Sequence, residues 1–115
     1  MAAITQVQVT GVNTPVTATR TVMSASDTLT YSSGTGQKLV LFNTTASPIT
    51  LTITGASATT VSPAGLGGTV SVASGFAVTV GASATVVVQL DAISAYLIGA
   101  ITATGGVGLT AHLYA

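Results

Sequence analysis

Polar and apolar residues alternate with a period of two along much of this chain. In an extended backbone, that period places successive side chains on opposite sides, so it predicts strands with one buried face. No convincing 3.6-residue period of an amphipathic helix accompanies it. The predicted alternating strands are residues 5–10, 28–31, 49–54, 69–72 and 77–80.

Two further segments, residues 38–42 and 86–90, are almost continuously apolar. A run of this kind is typical of a strand that is covered on both faces, either by the opposite sheet or by a partner molecule. We therefore predict that both segments are central strands.

The C-terminal third contains a break in the alternation between two further strands. Residues 91–96 predict a single helical or 3₁₀ turn capped by Asp91, or else a wide turn. Residues 96–104 predict a long strand with a bulge or bend at Gly99. Residues 108–114 predict a strand that pairs back on it, giving a hairpin across Gly105-Gly106.

Clusters of Gly, Pro, Ser and Asn separate the predicted strands. About eight short strands at such spacing predict an all-β fold, an antiparallel and jelly-roll-like β-sandwich over residues 23–115. Gly11, Asn13 and Pro15 set residues 1–22 apart as an extended N-terminal arm. The turn clusters are residues 32–36, 43–48, 62–68, 81–83 and 105–106.

Charge is scarce, which limits the classes of partner. Only four of the 115 residues are charged at neutral pH: Arg20, Asp27, Lys38 and Asp91. Such a surface lacks electrostatic repulsion, so the composition predicts a protein that assembles. Two basic residues neutralise too few phosphates for a nucleic-acid partner. The apolar runs are far shorter than the ~18 residues of a spanning helix, so no membrane partner is expected.

The N-terminus shows no basic segment followed by an apolar one, so we expect no secretory signal. On this basis the protein stays in the cell that makes it until an assembly leaves. The chain also contains no cysteine. Disulfides and thiolate metal sites are therefore excluded.

One histidine and two aspartates are the candidates for acid–base chemistry. A hydrolase would require His112 to lie beside Asp27 or Asp91, and a glycosidase would require the two carboxylates to act as a pair. No Gly-x-Ser-x-Gly elbow is present. Structural roles are simpler: Asp27 closes a turn before its strand, Asp91 is a helix cap or a buried polar anchor, and His112 is a structural or surface residue of a strand. We predict no enzyme activity, no catalytic, cofactor-binding or metal-binding residues, and no cofactor.

Three other features have both a functional and a structural interpretation. Residues 33–38 resemble a phosphate-binding loop, but the glycines are too close and Leu39 replaces the metal-binding Ser or Thr, so a hairpin turn is predicted. Asn43 begins a glycosylation sequon, for which a polar turn is the structural interpretation. The aromatic residues are predicted to fill core gaps or interface pockets instead of forming a sugar-binding platform; they are Tyr31, Phe42, Phe76, Tyr96 and Tyr114.

The stretch from Thr28 through Tyr114 resembles small bacteriophage proteins encoded beside the capsid genes. The resemblance lies in YSSGTGQKLVLFNTT at residues 31–45, LDAISAYLIG at residues 90–99 and TGGVG at residues 104–108. It implies a capsid decoration, or cement, protein: a β-sandwich, often trimeric, that binds the outer surface of the assembled shell and reinforces it. The arm at residues 1–22 lies outside the resemblance.

The resemblance implies the major capsid protein as partner, a homotrimer or other homo-oligomer, and a location on the capsid surface of the virion. Residues 1–22 and 62–68 are the predicted contact regions. The alternative is a host-attachment module of a tail or fibre that binds surface glycans. Decoration predicts many copies along the shell, whereas attachment predicts a few copies at one vertex or the tail.

Overall fold

The structure is a computed structural model that describes residues 2–4, 6–7, 20–61, 65, 67–68 and 70–114. Every predicted strand overlaps a strand of the structure, with shifted bounds. Short two-residue pairings at residues 2–3, 21–22 and 60–61 were not predicted. The strands are β1 (Ala2–Ala3), β2 (Gln6–Val7), β3 (Thr21–Val22), β4 (Ser26–Leu29), β5 (Lys38–Asn43), β6 (Ile49–Gly55), β7 (Thr60–Val61), β8 (Val70–Ser71), β9 (Phe76–Val80), β10 (Thr85–Gln89), β11 (Ile101–Thr104) and β12 (Leu109–Tyr114).

The described strands form two five-stranded sheets and one small pair. Sheet A has the order β1-β4-β11-β6-β9, and sheet B has the order β10-β5-β12-β2, with β3 also pairing with β12. Within the described part of the chain, strands β7 and β8 pair only with each other. The predicted all-β class is confirmed.

The pairing is antiparallel in both sheets except where the N-terminal strands join them. Strand β1 runs parallel to β4, and β2 runs parallel to β12. The expectation of a purely antiparallel fold is wrong at these two places. A tight hairpin turn would require antiparallel pairing. Neither β1 nor β2 is joined to its neighbour by such a turn, because the chain passes from β1 in sheet A to β2 in sheet B.

Consecutive strands mostly lie in different sheets. The loop at residues 32–36 joins β4 of sheet A to β5 of sheet B, and Gly105-Gly106 joins β11 of sheet A to β12 of sheet B. Both predicted hairpins are therefore wrong. Alternation tells which side of a strand is buried, but it does not identify the neighbouring strand.

The segment between β10 and β11 is a 3₁₀ helix, Leu90–Tyr96, with non-helical backbone at Ile93. The predicted 3₁₀ turn is confirmed, but the predicted cap is wrong. Gln89 occupies the N-cap without a side-chain hydrogen bond, whereas the Asp91 carboxylate accepts hydrogen bonds from the loop at residues 32–37. Gly99, with φ of +82°, lies in the bend before β11, so the predicted long strand is limited to Ile101–Thr104.

The two apolar runs have different positions in sheet B. Strand β5 lies between β10 and β12, so its predicted central position is confirmed. Strand β10 lies at the edge of the sheet, so the prediction for residues 86–90 is wrong. Among the described residues, no helix is long and apolar enough to span a bilayer.

Inward-facing side chains of both sheets form one buried cluster. Alternation along β5 shows the arrangement, since Leu39 and Leu41 are fully buried while Lys38 and Phe42 are exposed. Burial of these branched side chains supplies the main stabilisation, at about 25 cal/mol per Å² of apolar area. The largest fully buried apolar residues are Leu39, Leu41, Leu51, Ile53, Leu90, Leu109 and Leu113.

The described part of residues 1–22 pairs with the two sheets. The Ile4 amide donates to the Thr28 carbonyl at 2.8 Å, and the Ile4 side chain belongs to the buried cluster. Strand β3 pairs with β12. Residues 1, 5 and 8–19 of the predicted arm lie outside the described residues.

Candidate interaction surface

Asp27 is fully buried on β4 and closes a local turn, as predicted. Its carboxylate accepts hydrogen bonds from the Ser24 amide at 2.9 Å and the Ser24 hydroxyl at 2.8 Å. The side chain alternates with Leu29 and therefore points into the core. This carboxylate serves the architecture of the turn.

His112 lies on the outer face of sheet B. It follows the buried Ala111 in β12, and its ring stacks on Tyr114 with centroids 5.9 Å apart and an interplanar angle of 1°. Because Asp27 points into the core from sheet A, sheet B separates the two side chains. The structure therefore does not bring together the His112–Asp27 pair that a hydrolase would require.

The Asp91 carboxylate binds the loop at residues 32–37. One oxygen accepts from the Tyr31 hydroxyl at 2.6 Å and the Gly34 amide at 3.1 Å, and the other accepts from the Gly36 amide at 3.3 Å. Gly34 and Gly36 have φ values of +75° and +71°, a backbone conformation that turns their amides toward an anion. A segment that resembles a phosphate-binding loop thus binds a carboxylate of its own chain.

The contacts of Asp91 also change its acidity. The hydrogen bond from Tyr31 lowers the pKa of Asp91 below its ordinary value of 3.8, with the Gly34 amide, the Gly36 amide and the charge of Lys38 adding to the effect. The same bond raises the pKa of Tyr31 above 10.0. Both shifts favour the ionised carboxylate beside the neutral phenol.

We expect Asp91 to make stability depend on acidity. A depressed folded pKa contributes stability that is fully present above the unfolded value of 3.8 and is lost as the pH falls through the lower folded value. The urea concentration at the unfolding midpoint of the wild type should therefore decrease as the pH is lowered from 3.8 through the folded pKa of Asp91. It should fall less in Asp91→Asn, which has no carboxylate to protonate.

Tyr31→Phe provides the matched control, because it removes the largest contributor to the shift and leaves the carboxylate in place. Carbon NMR titration of the Asp91 carboxyl should give a higher pKa in Tyr31→Phe than in the wild type. An unchanged pKa in that variant would contradict the assignment of the shift to the phenol.

Two buried amide side chains organise the loops, and the sequence pattern did not reveal the first of them. Gln37 is fully buried, accepts from the Ser32 amide at 2.7 Å and donates to the Thr30 carbonyl at 3.1 Å and to Gln6. Its position before an apolar run was the available signal, since a polar residue there must be hydrogen-bonded if buried.

Asn43 is the second buried amide. It ends β5, and its side-chain nitrogen donates to the Ser47 carbonyl at 2.7 Å and the Val80 carbonyl at 3.0 Å. Its side-chain oxygen accepts from the Thr45 amide at 2.8 Å. The sequon asparagine is therefore inaccessible in the folded protein, and its role is to hold the 43–48 turn and join it to β9.

The outer face of sheet B is the main apolar surface that the described residues leave uncovered. We call it the apolar face. Val22, Phe42 and Val87 are 71%, 39% and 58% exposed, although residues of this size and type are normally buried. Besides these three, the apolar face includes the exposed Thr85 and the half-buried Val40 and His112, whereas Thr110, in register between Phe42 and Val22, is itself buried.

Strand register joins these side chains into adjacent rows. Phe42 lies opposite Thr85 on one side and Thr110 on the other, and Thr110 in turn pairs with Val22. In the next row Val40 lies between Val87 and His112. Lys38, one row further along β5, is the nearest charged residue in register, so the two rows themselves carry none. The exposed apolar side chains in these rows make the face a candidate interaction site.

A groove opens beside the apolar face where the two sheets separate. It has a volume of about 430 Å³ and lies between β9 and β10, with Phe76, Val78, Val86 and Val88 among its lining residues. Another cavity of about 440 Å³ is lined by residues of β4 and β11, including Leu29, Tyr31 and Thr102. Among the described residues that line the two cavities, Tyr31 is the only titratable group.

Part of the second predicted contact region is described. Gly65, Gly67 and Gly68 are exposed, between β7 and β8, whereas residues 62–64 and 66 lie outside the described residues. In the described part of the chain, no group of three or more His, Cys, Asp or Glu side chains is placed to hold a metal ion. Comparison of the chain with models of protein families, with curated proteins and with solved structures finds no match.

Proposed function

We propose that this protein is a structural component of a phage virion that binds the outer surface of the assembled capsid. The observation that carries the proposal is the apolar face, which is exposed in one chain and requires a partner to bury it. The sequence resemblance to capsid decoration proteins supports the same function. Alternation of the strands between two sheets supports the jelly-roll-like sandwich predicted from the strand spacing.

The proposed mechanism is mechanical. The apolar face docks on the major capsid protein, and each homo-oligomer, a trimer or another closed form, bridges neighbouring capsomers. Interfaces of roughly 800 Å² per partner are individually modest, but linked sites raise the overall affinity by avidity. The rigid two-sheet body then transmits load between capsomers without any chemical step.

Locating the protein on virus particles tests the proposal. We expect cryo-electron microscopy of particles of the phage that encodes this chain to show regular density over the shell. Occupancy should change little with salt, since an uncharged face gains little from ionic attraction. A few copies at one vertex or on the tail would instead favour the glycan-binding attachment module.

A substitution on the apolar face makes the test specific. Phe42→Ser is expected to lower affinity for shells that lack the protein by about tenfold, which corresponds to losing part of one buried aromatic side chain. Val107→Ser is the matched control, because Val107 is 63% exposed and lies in the turn before β12. Equal binding of both variants would contradict docking through this face.

A further inference from the structure

The outer edge of β10 lacks two of the usual protections against strand pairing. No described strand pairs with it. Its sequence, Thr-Val-Val-Val-Gln, contains no charge and no proline, the two features with which proteins commonly block an edge. Thr85, Val87 and Gln89 are exposed. An edge of this composition is available to an extended segment.

The backbone hydrogen bonds show which groups of β10 face outward. The Asn43 amide donates to the Ala84 carbonyl, and the Leu90 amide donates to the Gln37 carbonyl, each at 3.0 Å. Even-numbered residues of this strand therefore point their backbone groups toward β5. Because that direction alternates along a strand, the amides and carbonyls of Thr85, Val87 and Gln89 point away from the sheet.

We propose that the outer edge of β10 pairs with the same edge of a second copy of this chain, antiparallel and about a two-fold axis at Val87. In this register Val87 faces Val87 of the second copy, and Thr85 faces its Gln89. These are hydrogen-bonded pairs, each exchanging two N–H···O bonds, so the seam holds about six. The outward backbone amides and carbonyls of all three residues on each edge are thereby hydrogen-bonded.

The side chains favour a second copy as the occupant because the edge is complementary to itself. Val87 packs beside Val40 on the apolar face, so the two-fold extends this row as Val40, Val87, Val87 and Val40. At each end of the seam a polar Thr meets a polar Gln. The antiparallel arrangement also places the two copies of Lys38, which pairs with Gln89, at opposite ends, so like charges do not meet.

Such an interface is isologous and closes at two subunits. It would form a continuous sheet from two copies of sheet B and double the apolar face. The pairing is a property of the isolated chain in solution. It is therefore tested without a capsid, and its failure would leave the proposed shell binding untouched.

Sedimentation analysis of the full chain tests the dimer. The wild type should be dimeric, and Val87→Lys should raise the dimer dissociation constant about a hundredfold, because two ammonium groups would face each other across the seam. Val107→Lys is the matched control, since Val107 and Val87 are 63% and 58% exposed. This control should remain dimeric.

Cysteine cross-linking tests the register. Because the chain contains no native cysteine, an introduced cysteine is the single thiol of each chain. Val87→Cys should form a disulfide-linked dimer on mild oxidation, because a directly opposed pair has the Cα separation that a disulfide needs. A mixture of Thr85→Cys and Gln89→Cys chains should cross-link with each other more readily than either alone. Val107→Cys should not cross-link.

Several results would overturn the proposal. These are a monomeric wild type at high concentration, a trimer, or a dimer that Val87→Lys leaves intact. A monomer whose β10 amides become protected from hydrogen exchange only on phage shells would also overturn it. That last result would identify a strand of the shell as the occupant.

Discussion

Gly55→Ala is expected to destabilise the fold by about 3 kcal/mol, at the upper end of the cost of overpacking a core. A Cβ atom at this position would lie 2.5 Å from the Tyr96 carbonyl oxygen and 2.6 Å from the amide nitrogen and carbonyl oxygen of Ile98. All three are backbone atoms and cannot rotate away. Urea unfolding of the variant and the wild type measures the difference.

Neighbouring hydrogen bonds prevent the chain from moving to make room at Gly55. The Ala56 amide donates to the Ala100 carbonyl at 2.8 Å, and the Ser57 amide donates to the Ile98 carbonyl at 2.9 Å. Gly55 itself pairs with Ile101. Admitting a methyl group therefore means separating β6 from the segment that leads into β11.

Gly81→Ala is the control for this experiment. A Cβ atom there would meet only the Ala84 Cβ, at 3.7 Å, which is ordinary contact. We expect a change within about 0.5 kcal/mol, or slight stabilisation through the unfolded chain. Similar losses in both variants would mean that close backbone approach is not what excludes a side chain at Gly55.

Asn43→Asp is expected to lower the free energy of unfolding by on the order of 3 kcal/mol, although it changes the side-chain volume little. The substitution replaces two N–H donors with an oxygen that faces the carbonyls of Ser47 and Val80. Because Asn43 is fully buried, water cannot restore the lost bonds. Loss of the turn would also loosen the contact with β9.

Thr44→Ala separates the effect of burial from the loss of a hydrogen bond. The Thr44 hydroxyl donates to the Gly108 carbonyl at 2.8 Å, but this bond is exposed. Its removal should cost less than about 1 kcal/mol, since solvent replaces the donor. If Asn43→Asp proved as mild as this control, the buried amide would not be organising the turn.

The edge position of β10 shows where sequence reasoning reaches its limit. Three consecutive valines predicted a strand covered on both faces, yet Val87 is 58% exposed. An apolar run reports that both sides favour burial, and it cannot tell burial within one chain from burial against another. A partner molecule is the other cover that such a run allows, and in the proposed function that partner is the major capsid protein.

Asp91 shows a different limit. Its distance from Tyr31 along the chain is 60 residues, and their hydrogen bond exists only because the 3₁₀ helix and the 32–37 loop meet in the fold. The glycines of that loop were visible in the sequence, but the anion they bind was not. Composition identified the residue types, whereas long-range placement decided their roles.

The sequence by itself determined the all-β class, the approximate location of the strands and the sides they bury, because the period of two is a local property of an extended backbone. It also determined the scarcity of charge. Only the tertiary structure decided which strands are neighbours, that β10 lies at an edge, and that the outer side of sheet B remains apolar and exposed. Those features depend on pairing between distant segments, which local alternation leaves open.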